Sequence, residues 1–197
     1  MILSNVSLHE ALDSGRLVID PEPQPRRKLG SDACPYQTSS VDLRLGTEIA
    51  YFKKDIPVNI DLLEGSFADL FGPNSETRQI TQEQPFVLKP GKFVLGRTLE
   101  TVTLSLPLDE ERLPYLAARV EGKSSYARCG LLVHFTAPTI HAGFSGTITL
   151  ELINLGPFKI SLYPSAPICQ LIVEEVDGIP FKNESSFQGQ SRAGGNI

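Results

Sequence analysis

The sequence predicts a mainly β fold, a barrel or sandwich built as one domain, and three observations carry that reading. Short apolar segments alternate with polar residues at a period of two. Turn-forming residues separate those segments at the spacing of all-β proteins. The 15 prolines and 16 glycines of the 197 residues are spread along the chain. No segment repeats at a fixed period, so a solenoid or propeller is not expected.

The elements follow in order. One helix is signalled near the start: Ser7 and Glu10 form a capping-box pair, Leu8, Ala11 and Leu12 give an apolar stripe, and Gly15 is a stop. Residues 20–36 are rich in proline and charge and read as loop. In residues 39–46 Val41, Leu43 and Leu45 alternate with Asp42 and Arg44, the pattern of a half-buried strand. Residues 57–84 read as an excursion from the core, with a short helical turn near 67–71. Strands are then expected near 86–88, 92–98, 116–120, 131–136, 146–153, 159–162 and 168–173. Lys89-Pro90-Gly91, Ala142-Gly143, Leu155-Gly156-Pro157 and Tyr163-Pro164 mark turns between them. The whole chain reads as one domain, with residues 1–38 an N-terminal helix and loop and residues 179–197 a polar, flexible tail.

Composition narrows the function classes. With 41% hydrophobic and 21% charged residues, the chain has enough apolar material for a core. A net charge of -5 argues against a general nucleic-acid binder. No apolar run approaches the ~20 residues of a membrane span. The first residues lack a basic stretch before an apolar run, so no signal peptide is expected. The three cysteines, Cys34, Cys129 and Cys169, are widely spaced, which fits a reducing cytoplasm. Cys129 and Cys169 lie in apolar runs and are expected to be buried. The histidines, His9, His134 and His141, are too dispersed for a metal trio, and no zinc spacing, P-loop, GxGxxG or GxSxG is present.

Two features can carry chemistry. In "VEGKSSYARCGLLVHF" a glycine, Gly122, precedes Lys123, Ser124, Ser125 and Arg128. One helical turn over 124–128 places Ser124 and Arg128 on one face. Two hydroxyls and two cations beside open backbone N–H groups suit a polyphosphate; alone, the same residues also fit a solvated turn. In "GTITLELIN" Glu151 alternates away from Ile148, Leu150 and Leu152 and shares a face with the threonines. It fits either an ordinary exposed glutamate or a carboxylate set for acid/base work.

Five segments then resemble, in order and spacing, the dCTP deaminases of the dUTPase superfamily: "SSVDLRLG", "LKPGKFVLGRTLE", "EGKSSYARCGLLVHFTA", "AGFSGTITLELIN" and "YPSAPICQLIV". The likeness covers about residues 39–173, with an echo in "FQGQ" at 187–190. It implies a distorted β-barrel or jelly-roll-like core of the dUTPase type with a short N-terminal helix. It also implies a homotrimer with active sites between subunits, zinc-independent hydrolysis of dCTP to dUTP and ammonia in supply of thymidylate synthesis, magnesium carried with the triphosphate, and inhibition by dTTP. By the same resemblance Glu151 is the catalytic proton acceptor and donor, and Ser124 and Arg128 support the reacting centre. Lys123, Ser125, Tyr126 and Ala127 lie in the nucleotide-binding run, Thr149 and Leu150 where the pyrimidine is read, and Ala137 beside the water. Gln170 and Gln190 lie near the triphosphate, and Lys182 is the stand-in for a basic residue of the tail.

One position departs from the pattern. His141 stands where the family commonly has an aspartate at the sugar pocket. An imidazole bonds a hydroxyl but does not bring a carboxylate's charge, so the expectation is deamination without phosphate-chain hydrolysis, and dUTP as product. The alternatives are a bifunctional enzyme that goes on to dUMP, a dUTPase, or a catalytically silent nucleotide-binding trimer. The joint presence of Glu151, Ser124 and Arg128 argues against the silent binder.

Overall fold

The structure, a computed structural model, describes residues 1–30, 33–54, 59–61, 63, 67–106, 114–180 and 189–193. Helix α1, Asn5–Asp13, opens on Ser4, whose hydroxyl accepts the Ser7 N–H at 3.2 Å. The cap is therefore Ser4 and not Ser7, because Ser4 is the residue in extended conformation and its oxygen reaches the orphan amide three residues on. Gly15, at φ +70°, ends the turn as expected. Leu8 and Ala11 are fully buried beneath the helix.

Strand β1, Leu17–Asp20, follows, and then β2, Val41–Arg44, and β3, Glu48–Phe52. Helix α2, Phe67–Asn74, leads into β4, Ser75–Gln79. The next elements are β5 (Phe86–Leu88), β6 (Phe93–Leu104), β7 (Tyr115–Gly122), α3 (Ser124–Ala127), β8 (Leu131–Leu132) and β9 (Thr139–Ile140). The last are β10 (Ser145–Asn154), β11 (Ile160–Leu162) and β12 (Pro167–Val176). The fold is mainly β, as the alternation predicted. One sheet runs β4-β3-β6-β10-β8 with β1 also on β6, a second runs β2-β12-β7-β9, and β5 pairs with β11.

Alternation decides what the sheets enclose. Val41, Leu43 and Leu45 from β2 and its end join Leu150 and Leu152 from β10 and Leu171 and Val173 from β12, all fully buried in one cluster. Removing the water from each such side chain contributes on the order of 2 kcal/mol. β1, β3, β4 and β9 were not anticipated. β3 and β4 pair antiparallel, Glu48 against Gln79 through Phe52 against Ser75, so the excursion of residues 57–84 closes on a two-strand base. The strand expected over 131–136 stops at Leu132; Val133 stays buried, and two residues later the Phe135 N–H meets Glu151.

β6 is irregular where it meets β10. Thr147 faces Thr101 and Thr149 faces Arg97, so three residues of β6 stand opposite Ile148 alone. The Thr98 hydroxyl fills the gap: it accepts the Ile148 N–H at 2.9 Å and donates to the Glu100 carbonyl at 2.7 Å. Glu100 shares the inward face of β6 with Thr98 and Val102, and its carboxylate is fully buried. Arg44 meets both oxygens, with its backbone N–H at 2.9 Å and its Nε at 2.6 Å. A buried carboxylate is tolerated only with such partners.

The cysteines divide. Cys169 in β12 is fully buried, and burial pushes its thiol far above the ordinary range. Cys129 is exposed, contrary to the expectation from its apolar neighbours, because it sits on the tight turn that leaves α3. An aromatic disulfide reagent is therefore expected to label Cys129 in the folded protein and Cys169 only after denaturation. Mass mapping of the labelled peptides checks this, and rapid native labelling of Cys169 contradicts the packing of β12. No helix among the described residues is long and apolar enough to cross a membrane.

Candidate active site

Glu151 lies on β10, on the face opposite Leu150 and Leu152, as the alternation required. Its register partner on β6 is Leu95, and Thr149, on the same face, stands against Arg97. One carboxylate oxygen, Oε2, accepts the backbone N–H of Phe135 at 2.9 Å. Among the described residues the carboxylate has no other hydrogen-bond partner, so Oε1 is open to a ligand or water. The Phe135 ring is 41% exposed and lies 5.7 Å from Phe93, which gives the carboxylate an apolar border.

The run after β7 folds as the spacing predicted. Lys123 is the extended residue before α3, and the Arg128 N–H reaches the Ser124 carbonyl at 3.2 Å, closing one turn. Ser124, Ser125, Ala127 and Arg128 are exposed, and Lys123 and Tyr126 are half-buried. Among the described residues the Ser124 and Ser125 hydroxyls and the Arg128 guanidinium have no hydrogen-bond partner. No bond joins them to Glu151 within the chain.

Lys123 is anchored instead by Asp42, with Nζ to Oδ2 at 2.5 Å. The other oxygen of Asp42 accepts from Gln170 at 3.2 Å, and Gln170 also reaches the Ser40 hydroxyl at 3.3 Å. The pair is more than three-quarters withdrawn from water on both sides, so it is screened less than a surface pair. Two predicted site residues are thus brought together by a third, Asp42, that the sequence reading left on the polar face of β2 without a role. Its partner is 81 residues away, a distance no local pattern spans.

The other predicted residues fall in three places. Ala137 and His141 are exposed on either side of β9, which pairs with β7 through Arg119 and Thr139. Leu150 is fully buried, so its backbone is what it can offer a base. Gln190 is 7% exposed and bonded to Thr147. Lys182 lies outside the described residues.

The turn that ends α3 is pinned to the end of β10. Leu155 donates to the Gly130 carbonyl at 2.8 Å. A Cβ on Gly130 would stand 2.2 Å from the Gly156 nitrogen, and one on Gly156 would stand 2.0 Å from the Cys129 oxygen. Only two glycines permit this approach. Asn154, fully buried, completes it by donating to the Leu88 and Phe158 carbonyls and accepting from Gly156.

The family model described as dCTP deaminase-like matches residues 2–176. The chain belongs to that family. The match takes in the Glu151 strand, the 123–128 run, Asp42 and Gln170, and ends before Lys182 and Gln190. Among curated relatives of this dCTP deaminase-like chain, a protein of Dictyoglomus thermophilum named "dCTP deaminase, dUMP-forming" is 42% identical over 171 residues, 87% of this chain and 78% of that one. A protein of the same name from Methanosphaera stadtmanae is 35% identical over 196 residues, 96% of this chain and 90% of that one. The crystal structure of 2'-deoxycytidine 5'-triphosphate deaminase from Agrobacterium tumefaciens shares the fold, with a TM-score of 0.58 at 21% identity. That match covers 89% of this chain and 48% of the Agrobacterium chain, so this chain spans about half its length. These relatives are named for dUMP, whereas dUTP is the product expected from His141.

Proposed function

We propose that this member of the family hydrolyses dCTP at C4 and then cleaves the phosphate chain, giving dUMP, ammonia and pyrophosphate. The observation that carries the reading is the Glu151 carboxylate, fixed through Oε2 by the Phe135 N–H and open at Oε1. Such a base takes a proton from water as the oxygen attacks C4. It then returns protons to N3 and to the departing amino group, so that water and the C4 amine become a carbonyl and ammonia. No zinc is required by this route. The second water needs its own base, and His141, exposed at the position of the family aspartate, presents an imidazole that accepts a proton when neutral. The relatives' names support dUMP as end product over the dUTP expected from His141 alone.

Lys123, held by Asp42, and the free Ser124, Ser125 and Arg128 provide donors for a triphosphate and for the reacting centre. Since the side chains of Ser124, Ser125 and Arg128 have no partner among the described residues, the reading includes a homotrimer in which one copy's α3 turn faces another copy's Glu151. Magnesium arrives with the triphosphate, as a hard cation that takes phosphate oxygens and water. Among the described residues no group of three His, Cys, Asp or Glu stands together to hold an ion. Inhibition by dTTP, supply of thymidylate synthesis and a cytoplasmic setting belong to the same reading.

The test is incubation of the purified protein with dCTP and Mg²⁺, with products separated by chromatography and ammonia and pyrophosphate recorded. Equal amounts of dUMP, ammonia and pyrophosphate are expected. dUTP and ammonia without pyrophosphate would keep the deaminase and remove the second step. No product with retained nucleotide binding would point to the silent binder.

A further inference from the structure

From the way residues 189–193 lie on the molecule, we infer that they form a strap that positions the catalytic strand, with Gln190 as its anchor and Gly146 as its seat. The inference rests on the reading of Glu151 given above. The strap crosses from β10 to β3. Gly189 donates to the Ser145 carbonyl at 2.7 Å, and Thr147 donates to the Gln190 carbonyl from its N–H at 2.9 Å and from its hydroxyl at 3.1 Å. The Gln190 carboxamide closes the ring by donating to the Thr147 carbonyl at 2.7 Å. At the other end Ala193, fully buried, donates its N–H to Glu48 Oε1 at 2.8 Å.

Three features make this a built contact. Gly146, at φ +149°, leaves the space: a Cβ there would stand 2.9 Å from the Gln190 oxygen and 3.0 Å from its nitrogen. Gly189, at φ +72°, supplies the bend that brings the next residue down. Gln190 itself is 7% exposed, with its amide nitrogen engaged by its own chain. In this arrangement one proton of that nitrogen is committed to the Thr147 carbonyl, a main-chain contact separate from the nucleotide-ligand role expected from the resemblance.

The place of the contact gives it consequence. It grips Thr147 at the edge of the β6 irregularity, where the ladder is interrupted and the Thr98 hydroxyl replaces a main-chain partner. Thr149 is two residues further and Glu151 four, about 7 and 13 Å along an extended strand. The strap therefore supports β10 from outside at the point where β6 supports it least. Gln190 is a positioning residue, acting through β10 on the orientation of Thr149 and Glu151.

Gln190→Ala, Gly146→Ala and the double variant of the full chain test this. Each single variant is expected to lower kcat for dCTP by about 10- to 100-fold, with KM within about twofold. The double variant is expected to lose no more than the worse single, since both break one contact. A raised KM in Gln190→Ala with wild-type KM in Gly146→Ala would overturn the strap role in favour of a phosphate ligand, and so would additive losses. Hydrogen exchange at the Thr147 amide, without nucleotide, is the turnover-independent readout. It is expected to be slow in the wild type and fast in Gln190→Ala. Equal exchange in both overturns the strap whatever the activity. Slow wild-type exchange in a protein that leaves dCTP unchanged instead overturns the proposed function and leaves the strap standing.

Discussion

Glu151→Gln is expected to lose deamination of dCTP by at least about 10²–10⁴-fold in kcat while still binding the nucleotide. The substitution keeps the length and shape of the side chain. Its amide oxygen can still accept the Phe135 N–H that holds Oε2. What disappears is the capacity to take a proton from water and return it to the base. The loss should therefore fall on kcat, with KM little changed. Glu151 is on the outward face of β10, away from the buried Leu150 and Leu152, so thermal stability should stay near that of the wild type. Single-turnover kinetics beside a nucleotide-binding isotherm separates the two effects. Activity within tenfold of wild type would remove Glu151 as the base and, with it, the mechanism.

Arg44→Ala is expected to cost about 3–5 kcal/mol of folding free energy, the range for breaking a buried ion pair from one side. Glu100 has no exposed surface, whereas Arg44 keeps 34% of its side chain in contact with solvent. Deleting the arginine therefore leaves the fully buried partner without its guanidinium, the costlier of the two single deletions. The pair also ties the second sheet, through β2, to the irregular stretch of β6. Urea unfolding monitored by circular dichroism reads the loss as a shift in midpoint at constant slope. Replacing both residues by leucine should recover much of it, because two apolar groups leave no charge to desolvate. A loss under about 1 kcal/mol in Arg44→Ala would mean that Glu100 finds another partner.

The sequence carried the parts of this molecule whose signals are local. β2, β7, β10 and β12 alternate clearly enough to show their inner faces, and the outward placing of Glu151 followed from that alternation, its expected role from the resemblance. The turn that aligns Ser124 and Arg128 is four residues long and was legible for the same reason. β1, β3 and β4 were not. Their residues, LVID, EIAYF and SETRQ, do not alternate apolar with polar, and their pairing is fixed by partners far along the chain, Leu104 for Leu17 and Gln79 for Glu48. The Asp42–Lys123 pair and the Gln190–Thr147 contact share that difficulty. Each joins residues that local patterning treats as unrelated polar positions. Cys129 shows the converse: its neighbours Leu131 and Leu132 suggested burial, and a single tight turn lifted it to the surface.

The meeting of Gly130 and Gly156 has a consequence for anyone who would redesign this protein. The loop that displays Ser124 and Arg128 and the loop that follows the Glu151 strand are joined backbone to backbone, with no side chain between them to trim or enlarge. They form a single module for engineering. A library that randomises residues 155–158 to change substrate preference would disturb the 123–128 run unless Gly156 is held fixed. A graft of the 123–130 loop onto another scaffold of this fold would need its facing glycine transplanted with it.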